Sequence, residues 1–217
     1  MSANKKTAAA QQNEAGLAHY AGWDLDQAIA AFHKAAQLLP DNPEFHLNLA
    51  RAYARAGNYP AAMQSLGDYL RTETDEGVAS RYERLFSSAL DEVEQLLISG
   101  MKEMDVPVPQ IGKAMQMWLE YRITIGRRPL RIPKPELWAA ALAQATCKVN
   151  LMEIRPSSIA AIFQVPERSL QEKYSELVQT LDLMPADYRY FTGEKNPLDK
   201  LVEMAQMLDD MYKQFKE

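Results

Sequence analysis

The chain has 217 residues, of which 47% are hydrophobic and 24% charged, and its formal net charge is −5. This balance is typical of a folded globular protein and excludes disorder over most of the length. The acidic excess argues against general nucleic-acid binding, because neutralisation of phosphates by Lys and Arg supplies most non-specific affinity.

Residues 1–16 contain no apolar stretch typical of a signal peptide, and the longest weakly polar run, LWAAALAQA, is too short to span a bilayer. We therefore expect a cytoplasmic protein without a membrane anchor. A single cysteine, Cys147, excludes an internal disulfide, and its apolar helical surroundings favour a small buried hydrophobe over a nucleophile. His19, His33 and His46 lack metal-ligand spacing, so neither a metal nor another cofactor is expected.

Two N-terminal segments repeat at an offset of 34 residues. In the first segment the small, aromatic and helix-stopping positions are Gly16, Ala28, Phe32, Ala35 and Pro40. In the second they are Leu49, Ala50, Tyr53, Gly57, Tyr59 and Ala62. Residues 9–75 therefore resemble the tetratricopeptide repeat, in which small residues let two antiparallel helices approach closely. Trp23 replaces the turn glycine of the first repeat, and the second repeat ends without its proline.

The resemblance implies a concave groove lined by the first helix of each repeat, and hence a protein or peptide partner. Arg51 and Arg55 are one helical turn apart and could hold an acidic side chain of that partner, or they could be ordinary solvated helix residues. The candidate partner-binding residues are Asn13, Tyr20, Asn48, Arg51 and Arg55. Leu17 and Leu47 stand where chaperone-binding members have a carboxylate clamp, so a chaperone tail is not the expected ligand.

The next predicted elements are helices at 78–104 and 108–125. Apolar residues at helical spacing predict that 78–104 caps the repeats, which cannot bury their end faces alone. The stretch RITIGRRPLRIPK, 122–134, carries only basic charge, and its glycine and prolines predict a loop. Its basic residues are Arg122, Arg127, Arg128, Arg131 and Lys134. We favour a solvated connector between domains over a phosphate contact.

A nearly all-apolar helix from Pro135 to Val149 predicts the buried centre of a helical bundle at 76–185. Short helices at 157–164 and 167–182 follow it. This succession resembles one cyclin-type repeat as found in transcription factor IIB, and also a small bacterial helical domain. Beyond 185, apolar residues spaced by three and four predict a C-terminal helix at 195–217.

The stretch 156–182 also resembles a helix-turn-helix. Gln164 stands where glycine usually supplies a left-handed conformation, and the second helix exposes three carboxylates that would oppose DNA. Packing within the bundle is therefore the favoured interpretation of this stretch. Under the alternative, the nucleic-acid contacts would be Arg127, Arg128, Arg131, Arg168 and Lys173.

The sequence thus predicts an all-α protein with a short tetratricopeptide unit, a cyclin-like bundle and a C-terminal amphipathic helix. The leading functional hypothesis is a non-enzymatic adaptor that binds a partner segment in the groove. The alternative is a transcription-associated regulator that binds DNA. No enzyme is predicted, because no paired carboxylates, activated nucleophile or Gly-rich phosphate loop can be assembled.

Overall fold

The protein is all-helical in the residues that the computed structural model describes, which are 3–86, 90–193 and 199. The predicted all-α class is confirmed. No helix in this part of the chain is long and apolar enough to cross a membrane. The helices are α1 Ala3–Ala21, α2 Leu25–Leu38, α3 Pro43–Arg55, α4 Tyr59–Thr72, α5 Glu76–Glu83, α6 Glu92–Glu103, α7 Val108–Thr124, α8 Pro135–Val149, α9 Pro156–Ile162 and α10 Glu167–Leu181, with a 3-10 turn at Arg84–Phe86.

The chain divides into two compact units. The first unit comprises the described residues within Met1–Leu90 and Leu119–Arg131. The second comprises those within Asp91–Trp118 and Ile132–Glu217. The boundary lies inside helix α7, so this one helix contributes residues to both units.

This grouping differs from the predicted division into 9–75, 76–185 and 195–217. The physical reason is that Ile123, near the end of α7, is fully buried in the core of the first unit. The predicted C-terminal helix at 195–217 lies outside the described residues, apart from Asp199.

In the first unit, α1 packs on α2 and α3 packs on α4, so the two predicted repeats are two helical hairpins. Ala28, Phe32 and Ala35 are buried, as the repeat pattern requires. The Phe32 ring lies 2.6 Å from the point that a Cβ atom on Gly16 would occupy. Glycine at this position therefore lets α1 and α2 approach closely, and a larger residue would push the ring aside.

The turn inside each hairpin uses the same backbone conformation although the residues differ. Gly57 has φ 76°, and Trp23, which stands 34 residues earlier, has φ 61°. The next residue, Asp24 or Asn58, caps the second helix of its hairpin by accepting a backbone N–H bond. An aromatic residue with positive φ is unusual, which indicates that the Trp23 side chain makes compensating contacts.

The predicted single helix over 78–104 is wrong, because the chain breaks into α5, a 3-10 turn and α6. The Asp91 side chain accepts a bond from the Glu94 amide, and the Glu94 side chain accepts one from the Asp91 amide, each at 2.8 Å. This capping box starts a new helix. Tyr82 of α5 packs edge-on against Tyr69 of α4, with ring centroids 5.2 Å apart, so α5 covers part of the second repeat.

The second unit is built around α8, whose predicted bounds are confirmed and of whose 15 residues 12 are buried. The ring centroids of Trp138, on α8, and Trp118, on α7, lie 5.3 Å apart. Gly100 on α6 faces Phe163, whose ring lies 2.3 Å from the point that a Cβ atom on residue 100 would occupy. The apolar character predicted for α8 therefore reflects packing on several sides.

Helices α9 and α10 match the predicted elements at 157–164 and 167–182 to within two residues. Between them Gln164 adopts the left-handed conformation, with φ 54°, that its position was expected to need. Ile159 and Leu170 are buried, as required if the two helices pack against the unit's core.

Candidate partner-binding site

The five residues predicted for the groove lie on two neighbouring helices. Asn13 and Tyr20 belong to α1, and Asn48, Arg51 and Arg55 belong to α3. The Asn48 side chain donates a 2.9 Å hydrogen bond from Nδ2 to Asn13 Oδ1. Arg51 in turn donates from Nη1 to Asn48 Oδ1 over 3.2 Å. The structure therefore brings all five residues to one region of the first unit.

The guanidinium groups of Arg51 and Arg55 both stack on aromatic rings. The Arg55 guanidinium carbon lies 4.5 Å from the Tyr20 ring centroid and 4.0 Å from that of Trp23. The guanidinium carbon of Arg51 lies 5.5 Å from the Tyr20 centroid. Such stacking is attractive because the faces of aromatic rings carry partial negative charge. Sequence reasoning treated Trp23 only as a turn residue and missed this contact, which its unusual place at the turn could have signalled.

Three of the five residues are too buried to touch a partner directly. Asn13 is 7% exposed, and Asn48 and Arg55 are each 5% exposed. Arg51 and Tyr20 are half-buried, and the neighbouring Leu17 on α1 is 39% exposed. The accessible surface therefore consists of Leu17, Tyr20 and Arg51, and we call it the Tyr20–Arg51 surface.

Two polar atoms of the Tyr20–Arg51 surface have no hydrogen-bond partner among the described residues. They are the Tyr20 hydroxyl oxygen and the Arg51 Nε atom, and both are shielded from solvent. A buried polar group without a partner costs about 1–3 kcal/mol. Because both atoms are shielded, the two side chains must turn outward before an acceptor of another molecule can remove that cost.

Farther along the same helices, the chain covers its own surface. Ile123 shares a buried cluster with Leu47 of α3 and Tyr82 of α5. The Tyr82 hydroxyl donates a 2.7 Å hydrogen bond to the Gly126 carbonyl, which also accepts one from Arg81. The end of α7 and the following turn therefore occupy part of the surface that sequence reasoning had left open for a partner.

Comparison with known proteins bears on this unit alone. Residues 18–85 match the family model of the tetratricopeptide repeat. The match covers the last four residues of α1 and helices α2–α5. Repeats of this kind are non-enzymatic modules that generally mediate protein–protein interactions. No curated protein and no solved structure matched the chain. The cyclin-like character of the second unit stays a prediction.

The basic stretch beside the tetratricopeptide unit is partly engaged within the protein. Arg122 lies in α7 rather than in a loop. Arg127 forms a 3.2 Å ion pair with Glu73, and Arg128 donates from Nε to the Ile125 carbonyl over 3.1 Å. Arg131 is exposed.

The two nucleic-acid candidates on α10 also have acidic neighbours. Arg168 pairs with Glu172 at 3.1 Å, and Lys173 pairs with Glu176 at 2.5 Å. The Lys173 amine also lies 4.2 Å from the Trp138 ring centroid. These contacts reduce the positive charge that the helix offers to phosphates. DNA binding stays a prediction that no contact in the described residues favours.

Glu73, the partner of Arg127, has a pKa set by opposing effects. Burial raises the pKa of this carboxyl, but the hydrogen bond from the Tyr69 hydroxyl, the backbone amides of Asp75 and Thr74, and the charge of Arg127 lower it below its usual value. The Glu73 side chain is fully shielded from solvent. The carboxylate is therefore the stable form in the folded protein.

Glu73→Gln is expected to lower the free energy of unfolding by about 1–3 kcal/mol near neutral pH, because the charged acceptor is lost. The pKa of Glu73 is lowered on folding, so its stabilising effect is complete above the unfolded value of about 4.3 and is lost as the pH falls through the folded value. Urea denaturation of both proteins near neutral and at acidic pH should show the difference shrinking in acid. Glu83→Gln, at an exposed carboxyl on α5, should show little difference at either pH.

Cys147 and His46 take part in the packing of the protein. Cys147 is 2% exposed, and burial raises the pKa of its thiol to about 11, so it stays protonated and packs as a small apolar residue. His46 contacts the Pro40 carbonyl at 2.6 Å and belongs to the repeat packing. Within the described ranges, no three His, Cys, Asp or Glu side chains are placed to hold a metal ion together.

Proposed function

We propose that the protein is a non-enzymatic interaction module that binds an acidic segment of a protein partner at the Tyr20–Arg51 surface. The tetratricopeptide match supports the general role, since repeats of this family generally mediate protein–protein interactions. The chemistry of the exposed groups supports an acidic ligand. Arg51 supplies a positive charge, and Leu17 supplies adjacent apolar area.

The observation that carries the proposal is the pair of unbonded polar atoms, the Tyr20 hydroxyl and Arg51 Nε. The Tyr20 hydroxyl is attached to the aromatic ring beside which the Arg51 guanidinium lies. Both atoms can donate a hydrogen bond. A carboxylate is the acceptor that suits them best, because hydrogen bonds to ionised groups are about twice as strong as neutral ones. An Asp or Glu side chain, or a terminal carboxylate, would satisfy both shielded atoms once the two side chains turn outward.

The buried residues support this surface from behind. Asn48 accepts a hydrogen bond from Arg51 and donates one to Asn13, which fixes the Arg51 side chain in one orientation. Arg55 also stacks on the Tyr20 ring and adds positive potential. Asn13, Asn48 and Arg55 are therefore proposed to position the binding groups rather than to touch the partner.

Peptide selection tests the proposal directly. Peptides that bind the full chain would be selected from a phage-displayed random library, synthesised with a fluorophore and titrated by anisotropy. We expect the selected peptides to share an Asp or Glu. Arg51→Glu should weaken their binding about tenfold to a hundredfold, since a hydrogen bond to a charged group contributes about 1.5–3 kcal/mol.

Two further variants make the result specific. Arg71→Glu introduces the same charge change at an exposed arginine on α4 and should leave the affinity unchanged. Tyr20→Phe removes only the hydroxyl and should weaken binding several-fold while keeping the ring beside Arg55. Equal loss in the Arg51 and Arg71 variants, or no loss in either, would refute the assignment to this surface.

A further inference from the structure

A surface pocket in the second unit, outside the tetratricopeptide match, is lined mostly by apolar side chains. Its volume is about 390 Å³. The end of α8, the stretch after it, Tyr174 of α10 and the turn at 183–185 form its walls. Lys148 and Glu153 are exposed charged residues among the lining side chains.

Two large apolar residues of this pocket are left in solvent. Leu151 is 52% exposed and Met184 is 47% exposed, and both line the pocket. Leu151 also adopts a left-handed backbone conformation, with φ 57°. Leu151 follows the C-cap of α8, where a left-handed residue commonly ends a helix, and glycine or asparagine would adopt this conformation at lower cost. The exposed apolar area of Leu151 and Met184 makes the pocket a candidate docking surface.

The last described residues before position 194 are hydrogen-bonded at the edge of this pocket. The amide and the hydroxyl of Thr192 both donate to Asn150 Oδ1 over 2.9 Å. Asn150 Nδ2 donates to the Tyr190 carbonyl over 3.1 Å. Because Asn150 lies between the lining residues Val149 and Leu151, these bonds hold the chain at the pocket's edge. The five residues from Gly193 to position 198 can span at most about 17 Å.

The sequence from residue 198 onward contains apolar residues spaced by three and four, a pattern typical of a segment that packs against an apolar surface. We call these residues the apolar stripe, and they are Leu198, Leu201, Ala205, Leu208, Tyr212 and Phe215. An amphipathic segment of this length is marginal as an isolated helix in water. Methionine is adaptable in packing, and both the pocket (Met152, Met184) and the segment (Met204, Met207, Met211) contain it.

We propose that this pocket binds the chain's own C-terminal segment, residues 198–217, in the same molecule. The segment begins within reach of the pocket, its stripe matches the apolar lining, and its acidic and basic residues can pair with Lys148 and Glu153 at the rim. Docking covers Leu151 and Met184.

Photo-crosslinking in the full-length protein tests this proposal. The probe is p-benzoylphenylalanine in place of Tyr212, which keeps an aromatic side chain in the stripe. After irradiation, mass spectrometry should locate the crosslink on the stretch 149–154 or on the turn 183–185. Mixing isotopically heavy and light protein before irradiation distinguishes crosslinks within one chain from those between two chains.

Variants of the pocket give the expected change and its control. Met184→Glu should reduce the crosslink yield about tenfold, which corresponds to a tenfold weaker docking equilibrium. Leu151→Asn suits the left-handed backbone and should also reduce the yield, although the fold is preserved. Val108→Glu changes another exposed apolar residue, 75% accessible, and should leave the yield unchanged. Circular dichroism of each variant verifies folding.

Three results would overturn the proposal. Crosslinks between heavy and light chains would show that the pocket takes a second copy. Crosslinks to α1 or α3 would place the segment on the tetratricopeptide unit instead. The absence of any crosslink to the pocket, with the wild-type fold retained, would show that the pocket is not the docking site.

Discussion

Arg189→Ala should lower the free energy of unfolding by about 3–5 kcal/mol, the range measured when one partner of a buried ion pair is removed. The side chains of Arg189 and Asp187 are 1% and 2% exposed. Arg189 donates to both Asp187 oxygens, at 3.0 Å from Nε and 2.8 Å from Nη2, and from Nη2 to the Leu181 carbonyl at 2.8 Å. Removing the guanidinium leaves the Leu181 carbonyl without this donor and the buried Asp187 carboxylate without its counter-charge, with the bond from the Arg189 amide still in place.

Urea denaturation followed by tryptophan fluorescence measures the change, because Trp118 and Trp138 both belong to the second unit. Arg168→Ala is the matched control, since its ion pair with Glu172 has side chains 92% and 66% exposed and should contribute little. The double variant Asp187→Leu with Arg189→Met should be more stable than Arg189→Ala, because it leaves no buried charge unpaired. Similar stabilities of the Arg189 and Arg168 variants would contradict the expectation.

The tetratricopeptide repeat and helix α8 could be predicted because each depends on residues that are close together in the sequence. The match between Trp23 and Gly57 follows from a fixed offset, and the structure gives both the same backbone conformation. The bounds of α8 follow from an apolar run that begins at Pro135 and ends at Val149. In both cases short-range spacing determines the element, so no knowledge of distant contacts is needed.

Long-range packing could not be predicted in the same way. The stretch 122–134 was predicted as a loop from its glycine, prolines and charges, yet the buried Ile123 and the Gly126 carbonyl join it to the repeats. The pair formed by Asp187 and Arg189 is only two residues apart, and its near-complete burial depends on surrounding elements. Sequence spacing carries no information about such burial.

At the candidate site, too, the sequence predicted which residues share a helix face but not how buried each of them is. Repeat periodicity correctly placed Asn13, Tyr20, Asn48, Arg51 and Arg55 in one region, because it fixes which helix faces meet. It did not reveal that Arg55 is buried between two rings while Arg51 is accessible. Positions one turn apart share a face, but their exposure depends on what packs beside each of them.

Arg55→Glu is therefore expected to destabilise the first unit by about 3 kcal/mol or more, while Arg51→Glu should have a much smaller effect. The Arg55 side chain lies against the faces of Tyr20 and Trp23 and is 5% exposed. A carboxylate there would lose its hydration and would face partial negative charge on both rings. Arg51 is half-buried, so a carboxylate at its position can stay hydrated. Thermal and urea unfolding followed by circular dichroism measure both changes.

Arg55→Met separates the loss of charge from the loss of packing. Methionine keeps an unbranched apolar chain between the rings, so the variant should lose only the cation–π attraction, about 1–2 kcal/mol at a desolvated site. Stability should then decrease from wild type to Arg55→Met to Arg55→Glu. If Arg55→Glu unfolds at the same urea concentration as Arg51→Glu, Arg55 is accessible in solution and belongs to the binding surface itself. If the order holds, Arg51 is the residue to change when partner binding is tested, because Arg55→Glu would abolish binding by unfolding the unit.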